Sequence, residues 1–351
     1  MSALVKLRSL GRASLLSMAI SGMAVFVAVN SSYAQQVLNI YSALDEDQLA
    51  ELMTAFEVKN PDIKTSKIVD SNGPIIARLL AEKDNPQADI LFGAAVSGLL
   101  ALDKEGILEP YKPAELEKIK KGFKDSRGDA PAWVGLDAWA SAVCFNKTEG
   151  EKLKVTEPKS WADLLKPEYE GKIIMPNPNS SGTGFLQVAG WLTLHGEEGG
   201  WQYMDQLHKN ISQYVHSGSK PCRMAAAGET VVGISYAFPG VKAINEGAPL
   251  SVILPSEGLG SEIEAVALIK GSKNQEAARK LADFAASEEA AVISNKYYVV
   301  VAREGVSSPI PNYPEGEEKK MMNMDFAWLA ANRGRILDEW QKRYGVKSAA
   351  E

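Results

Sequence analysis

The chain has 351 residues, 45% of them hydrophobic, enough apolar material for two lobes with separate cores. Its formal charge is −6, from 38 Lys and Arg against 44 Asp and Glu, with three His and two Cys. An acidic balance of this kind argues against nucleic-acid binding, which rests on basic contacts to phosphates.

Residues 1–34 carry the layout of a secretory signal peptide. Lys6, Arg8 and Arg12 form a basic start, an apolar stretch runs from about Leu15 to Val29, and Ser32-Tyr33-Ala34 offers a cut after Ala34. The rival reading is an uncleaved membrane anchor, but the stretch falls short of the ~20 apolar residues a span needs. No Cys follows the cut, which argues against a lipid anchor, and no later segment is long and apolar enough to span. The segment holds three of the 38 cations and none of the 44 acids, so its removal takes the charge from −6 to −9. The expected product is exported to the periplasm, soluble and monomeric.

From Val37 the pattern alternates. "VLNIYSA" reads as a buried strand, and "DEDQLAELMTAFEVKN" as an amphipathic helix with Asp45 as N-cap and Leu49, Leu52, Met53 and Phe56 on one face. "IKTSKIVD" is a second strand, "PIIARLLAEK" a second helix and "ADILFGA" a third strand. Strands alternating with helices imply a parallel sheet, whose ligands sit beyond the carboxyl ends of the strands. Ser42 and the trio Ser71-Asn72-Gly73 occupy such turns.

A long strand, "WVGLDAWASAVCFNK", leads into a second α/β region. There "KIIMPNP" and "TVVGISYAF" read as strands, and "GTGFLQVAGWLTLHG" and "EEGGWQYMDQLHKNI" as helices. "EIEAVALIKG" is a further long strand, "SKNQEAARKLADFAASEEAAVISN" one strong helix, and the tail "EKKMMNMDFAWLAANRGRILDEWQKRYG" helical. Two lobes joined by two long strands account for this layout, and hinged lobes can close on a ligand.

Two turns suit an anion. In "NPNSSGTGF", Ser180, Ser181, Gly182 and Thr183 open a helix, where unpaired N–H groups and hydroxyls can hold negative charge without a Lys clamp. Ordinary helix capping is the alternative. No Lys follows the glycines, so this is not a nucleotide P-loop. In "HSGSKPCRM", Ser217 and Ser219 form a second such turn; Ser217 to Lys220 matches S-x-x-K, but S-D-N and K-T-G are absent.

Asp137 and Trp139 share one face of a strand and could meet a cation through a carboxylate and an indole; so could Glu262 and Glu264. A structural carboxylate in the strand is the rival reading. The three histidines, at 195, 208 and 216, lack metal spacing, and neither H-E-x-x-H nor G-x-S-x-G occurs. No metal, cofactor or catalytic set is therefore expected. Tyr297-Tyr298 could suggest phenolate iron binding, but "NKYYVVVA" reads as a strand entering a core. Cys144 and Cys222 are read either as one disulfide or as two free thiols.

The mature chain resembles the periplasmic substrate-binding proteins of ABC transporters, in the class that includes ferric-ion, thiamine and 2-aminoethylphosphonate binders. "VLNIYSA", "ADILFGA", "SWADLLKPEYEGKIIMPNP" with "SSGTG", and "ALIKGSKNQEAARKLADFAASEE" carry the resemblance. It implies a two-lobe periplasmic-binding-protein type II fold, each lobe a mixed, mostly parallel sheet flanked by helices, with two hinge strands. Lobe 1 is expected over 35–137 and 266–351, lobe 2 over 138–265. The ferric branch presents adjacent tyrosines where this chain reads "GISYAFPG", with Tyr236 alone. "YVHSGSKPCRMAAAGE", "NSSGTGF" and "EIEA" before "ALIKG" resemble the 2-aminoethylphosphonate branch instead, although Ser261-Glu262 stands where that branch often has Trp-Asp. The expected ligand is then a zwitterion. Its phosphonate would rest on Ser42, Ser71, Ser180, Ser181, Gly182, Thr183, Ser217 and Ser219, and its ammonium on Asp137, Trp139, Tyr236 and Glu264. The partner is the membrane permease of an ABC importer. Ferric iron, thiamine or a polyamine in the same fold, or an exported enzyme, are the alternatives.

Overall fold

The structure, a computed structural model, describes residues 36–349; the expected signal segment lies outside them. β1 (Gln36–Ser42), α1 (Glu46–Lys59), β2 (Ile63–Val69), α2 (Asn72–Ala81) and β3 (Ile90–Ala95) form the expected alternation, with the strands parallel in the order β2-β1-β3. Leu49, Leu52, Met53 and Phe56 of α1 are all buried, as their spacing requires. α3 (Val96–Lys104) follows β3 without a loop, and the short β4 (Leu108–Glu109) comes next.

β5 (Val134–Asn146) is 13 residues long and buried throughout. It is followed by α4 (Lys147–Leu153), β6 (Ile173–Pro176), α5 (Gly182–Asn210), β7 (Ile211–Val215), α6 (Lys220–Ala226), β8 (Val232–Tyr236), α7 (Ala237–Asn245) and β9 (Leu250–Ile253). β10 (Ser261–Ile269), α8 (Gln275–Ala285), α9 (Glu288–Ser294), β11 (Val300–Val301), α10 (Glu317–Lys320) and α11 (Phe326–Tyr344) complete the chain. The sheet order is β2-β1-β3-β10-β5-β8-β6-β7. Residues Val134–Ala140 of β5 pair antiparallel with β10, and Ser141–Phe145 pair antiparallel with β8, so one strand serves both halves of the sheet. β6 runs parallel to β7 and β8, making the sheet mixed.

Each half has its own apolar core. Leu38, Ile40, Phe56, Phe92, Leu281 and Phe284 pack beneath β1, α1 and α8. In the other half Trp191 meets Trp161 edge-on at 5.5 Å and Tyr203 at 5.1 Å, with Trp201 and Trp340 in the same cluster. Among the described residues no helix is long and apolar enough to cross a membrane.

The pair of helices read at 182–196 and 197–211 is present, with α5 broken at Gly196, where φ is 71°. Three other sequence expectations change in detail. The single helix read over 272–295 is two, because the Ser287 hydroxyl accepts from Ala290 N at 3.3 Å and starts α9. The helical tail is interrupted where Met322 N donates to Leu259 O, and α11 restarts on an Asp325 cap that accepts from Trp328 N at 2.9 Å. The strand read through Phe238 ends at Tyr236, and α7 starts at Ala237. Cys144 on β5 and Cys222 on α6 are joined by a disulfide, the first of the two readings left open above.

Candidate functional site

A cleft of about 900 Å³ opens at the carboxyl ends of β1, β2 and β3 on one side, facing the starts of α5 and α6 and the end of β8 on the other. Turns that follow parallel strands leave backbone N–H groups pointing outward, which is why donors gather at the helix entries.

One wall is built of hydroxyls and amides. Ser181 caps α5, its Oγ accepting from Gly184 N at 3.2 Å, and Thr183 follows in the first turn of the helix. Gly218 crosses so close to both that a Cβ there would stand 2.5 Å from Thr183 Oγ1 and 3.1 Å from Ser181 Oγ. Only glycine lets this turn sit against the α5 entry. Ser217 and Ser219 share a hydroxyl hydrogen bond at 3.2 Å, and Arg223 Nη1 donates to Ser219 Oγ at 2.6 Å. From the opposite side Asn72 Oδ1 accepts from Ala95 N at 3.1 Å, while its buried Nδ2 has no partner. A Cβ added to Gly182 would stand 3.1 Å from Asn72 Cβ, so the α2 and α5 entries abut where they line the cleft.

The other wall is acidic and aromatic. Asp45, at the entry of α1, makes no cap bond and instead accepts from the Tyr236 hydroxyl. Burial raises the Asp45 carboxyl above the usual range, and the Tyr236 hydrogen bond works against it. Trp139, Tyr298 and Glu264 complete this wall. Burial, then the neighbouring Asp137 charge, pushes Glu264 well up, and burial raises Asp137 as well.

Of the residues singled out from the sequence, Ser71, Ser181, Gly182, Thr183, Ser217, Ser219, Trp139, Tyr236 and Glu264 line the cleft. Ser42, Ser180 and Asp137 do not. Ser42 is fully buried, and its Oγ accepts from Leu44 N within its own turn. Ser180 Oγ donates to His216 O at 2.9 Å and braces the second anion turn. Asp137 lies beneath the floor, its Oδ2 accepting from Gln48 Nε2 at 3.0 Å. Glu262, the companion of Glu264, is also buried away from the cleft, near Ser97 and Arg333. Tyr298, read as a core residue, is 2% exposed yet reaches the cleft wall, stacked near Tyr236 at 6.3 Å.

Sequence reasoning missed Asp45, Asn72, His216 and Arg223. Arg223 revises the expectation of neutral donors alone, since a guanidinium stands at the hydroxyl turn. Asn72 sat within a quoted turn and carried a signal, a polar residue at a strand-to-helix junction; Asp45 was read only as a cap.

Several bonds tie the walls together. Gly73 N donates to Ser180 O at 2.8 Å, His216 Nε2 meets Asp70 Oδ1 at 3.0 Å, and Lys242 pairs with Asp47. Exposed pairs such as Lys242–Asp47 contribute little to stability, about 0–1 kcal/mol.

Glu262 carries a pH prediction. Burial raises its carboxyl from 4.5 to about 7, so the folded chain binds that proton more tightly than the unfolded chain. Its stabilising contribution is full below pH 4.5 and is lost as pH rises through about 7, a swing of roughly 3 kcal/mol. Glu262→Gln removes the titration, so denaturant unfolding should show the variant gaining on the parent between those pH values. Parallel stability curves across that window would contradict this.

Residues 85–328 match the family model of bacterial extracellular solute-binding proteins, and the chain belongs to that family. A Haemophilus influenzae protein is 30% identical over 300 residues, 83% of this chain and 86% of that one. The periplasmic binding protein AfuA of Actinobacillus pleuropneumoniae, solved with exogenous fructose-6-phosphate bound, superposes with a TM-score of 0.83 at 30% identity, covering 89% of this chain and 99% of AfuA. A Salmonella typhimurium protein with a provisional 2-aminoethylphosphonate-binding name is 23% identical over 324 residues, 84% of this chain and 92% of its own length. The mixed α/β architecture is that of periplasmic binding proteins, and the relatives are solute binders.

Proposed function

We propose that this protein is the periplasmic binding component of an ABC importer and captures an organic phosphate, of the sugar-phosphate class, without transforming it. The carrying observation is the unpartnered Asn72 amide facing the Ser181–Thr183 helix entry, with Ser217, Ser219 and Arg223 alongside. These residues bring donors to the α2, α5 and α6 entries that line the cleft, a set suited to an oxyanion. Opposite stand Asp45 and Glu264, acceptors suited to sugar hydroxyls, and Trp139 and Tyr298, apolar faces suited to a sugar ring. The resemblance to a fructose-6-phosphate-bound protein supports this choice of class. A cleft of about 900 Å³ also suits a ligand larger than a two-carbon phosphonate.

The working cycle would be hinge closure of 35–137 with 266–351 against 138–265, about β5 and β10, followed by docking on the permease. The chain would act as a monomer after cleavage behind Ala34. The second reading keeps 2-aminoethylphosphonate as ligand, with its ammonium on Asp45 or Glu264; the acid wall opposite the hydroxyl turn favours it.

A thermal-shift panel tests both. Fructose 6-phosphate at a hundred times its dissociation constant should add about 2.7 kcal/mol of stability and raise the melting point. A rise with 2-aminoethylphosphonate alone would support the second reading. A rise only with ferric salts, thiamine or spermidine would overturn both.

A further inference from the structure

The antiparallel register of β5 and β10 sets Asp137 directly against Glu264. Asp137 is fully buried; Glu264 is 7% exposed and reaches the cleft. Asp137 Oδ2 is satisfied by the Gln48 amide at 3.0 Å, with Ser294 also alongside. Asp137 Oδ1 and Glu264 Oε2 are both buried without a donor. Ionised carboxylates only accept, so as two anions these atoms would stay unsatisfied and repel each other. One proton would resolve both, with Glu264 Oε2–H donating to Asp137 Oδ1 and the charge kept on Asp137 beside the Gln48 amide.

We infer that Asp137, which never reaches the ligand, determines the ligand group accepted at the far end of the cleft by sharing one proton with Glu264. Glu264 then meets the cleft as a neutral carboxyl, a partner for hydroxyls in preference to ammonium. This rests on the proposed phosphate anchor for its choice of ligand, but not for the proton. Among the groups facing the pair, Asp45 from the α1 entry and Glu262 along β10 oppose a second negative charge, Gln48 and Ser294 favour the one charge on Asp137, and the phenols of Tyr236, Tyr298 and Tyr313 are held neutral. The nearby cations act elsewhere, Arg223 and Lys242 on Asp45, and Arg333 on Glu262. Burial raises both members of the pair, in the direction the shared proton requires.

Asp137→Asn tests the inference. The Asn carbonyl can still accept from Gln48 while its amide donates to Glu264 Oε2, which leaves Glu264 ionised toward the cleft. The probes are 2-hydroxyethylphosphonate and 2-aminoethylphosphonate, titrated by calorimetry at neutral pH. The amine-to-hydroxyl affinity ratio should rise about tenfold or more in Asp137→Asn, as expected for a new charge-assisted contact. Glu264→Gln, a fixed neutral partner, should leave the ratio near that of the parent. An unchanged ratio in an Asp137→Asn protein with native circular dichroism would overturn the proposal.

Infrared difference spectra of the ligand-free protein give a readout that needs no ligand. Subtracting each variant's spectrum from the parent's should leave a protonated-carboxyl band that shifts in D2O, for Asp137→Asn and for Glu264→Gln alike, while the bands of other raised carboxyls such as Glu262 cancel. Absence of that band from both subtractions would also overturn the inference. If the band behaves as stated and neither phosphonate binds, the phosphate anchor fails while the shared proton stands.

Discussion

Replacing Ser181 and Thr183 together with alanine should weaken fructose 6-phosphate binding by at least about a hundredfold, because each removes a hydrogen bond to a charged group worth roughly 1.5–3 kcal/mol. Ser181 has a second role, as its Oγ caps α5 through Gly184 N. The single Ser181→Ala change should therefore also cost about 1 kcal/mol of stability. Thr183→Ala carries no such cost, since the Thr183 hydroxyl caps nothing, so the two effects separate. Calorimetry gives the affinity and urea unfolding gives the stability. An affinity within a few-fold of the parent would remove the α5 entry from the site.

Removing the disulfide should produce the largest loss of stability. Cys144 and Cys222 close a separation of 78 residues and tie β5 to α6, the helix that carries Arg223 into the cleft. In the chain-entropy account a loop of that size stabilises the fold by about 4.5 kcal/mol. The pair packs with Ala225, Ala243 and Leu250, so a Cys144→Ala, Cys222→Ala protein keeps an apolar environment. It should fold yet unfold at clearly lower urea concentration, and reduction of the parent should have the same effect. A loss below about 1 kcal/mol would contradict the entropic reading.

The strands were legible because buried strands of a parallel sheet read as continuous apolar runs, as in "VLNIYSA" and "ADILFGA". Helix interruptions were less so. "FAASEEAA" is helix-favouring throughout, and only the Ser287 cap divides it. Within the site the hydroxyl turns were visible as clusters of Ser, Thr and Gly before apolar runs. Their individual directions were not, because Ser42 and Ser181 look alike in sequence yet one bonds its own turn and the other faces the cleft. Alternation likewise placed Asp137 with Trp139, but burial beneath Gln48 withdrew the carboxylate from the surface. Asp45 and Arg223 were hidden for another reason: each reaches its partner, Tyr236 or the serine turn, only through tertiary approach.

The central claim is that a phosphate group is the handle by which this cleft holds its ligand. Titration of the purified protein with fructose 6-phosphate and, in parallel, with fructose tests it most directly. Saturable one-to-one binding of the phosphorylated sugar, with no measurable heat from fructose, is the predicted result. Equal binding of both sugars, or binding of neither while a phosphate-free solute saturates the cleft, would contradict it.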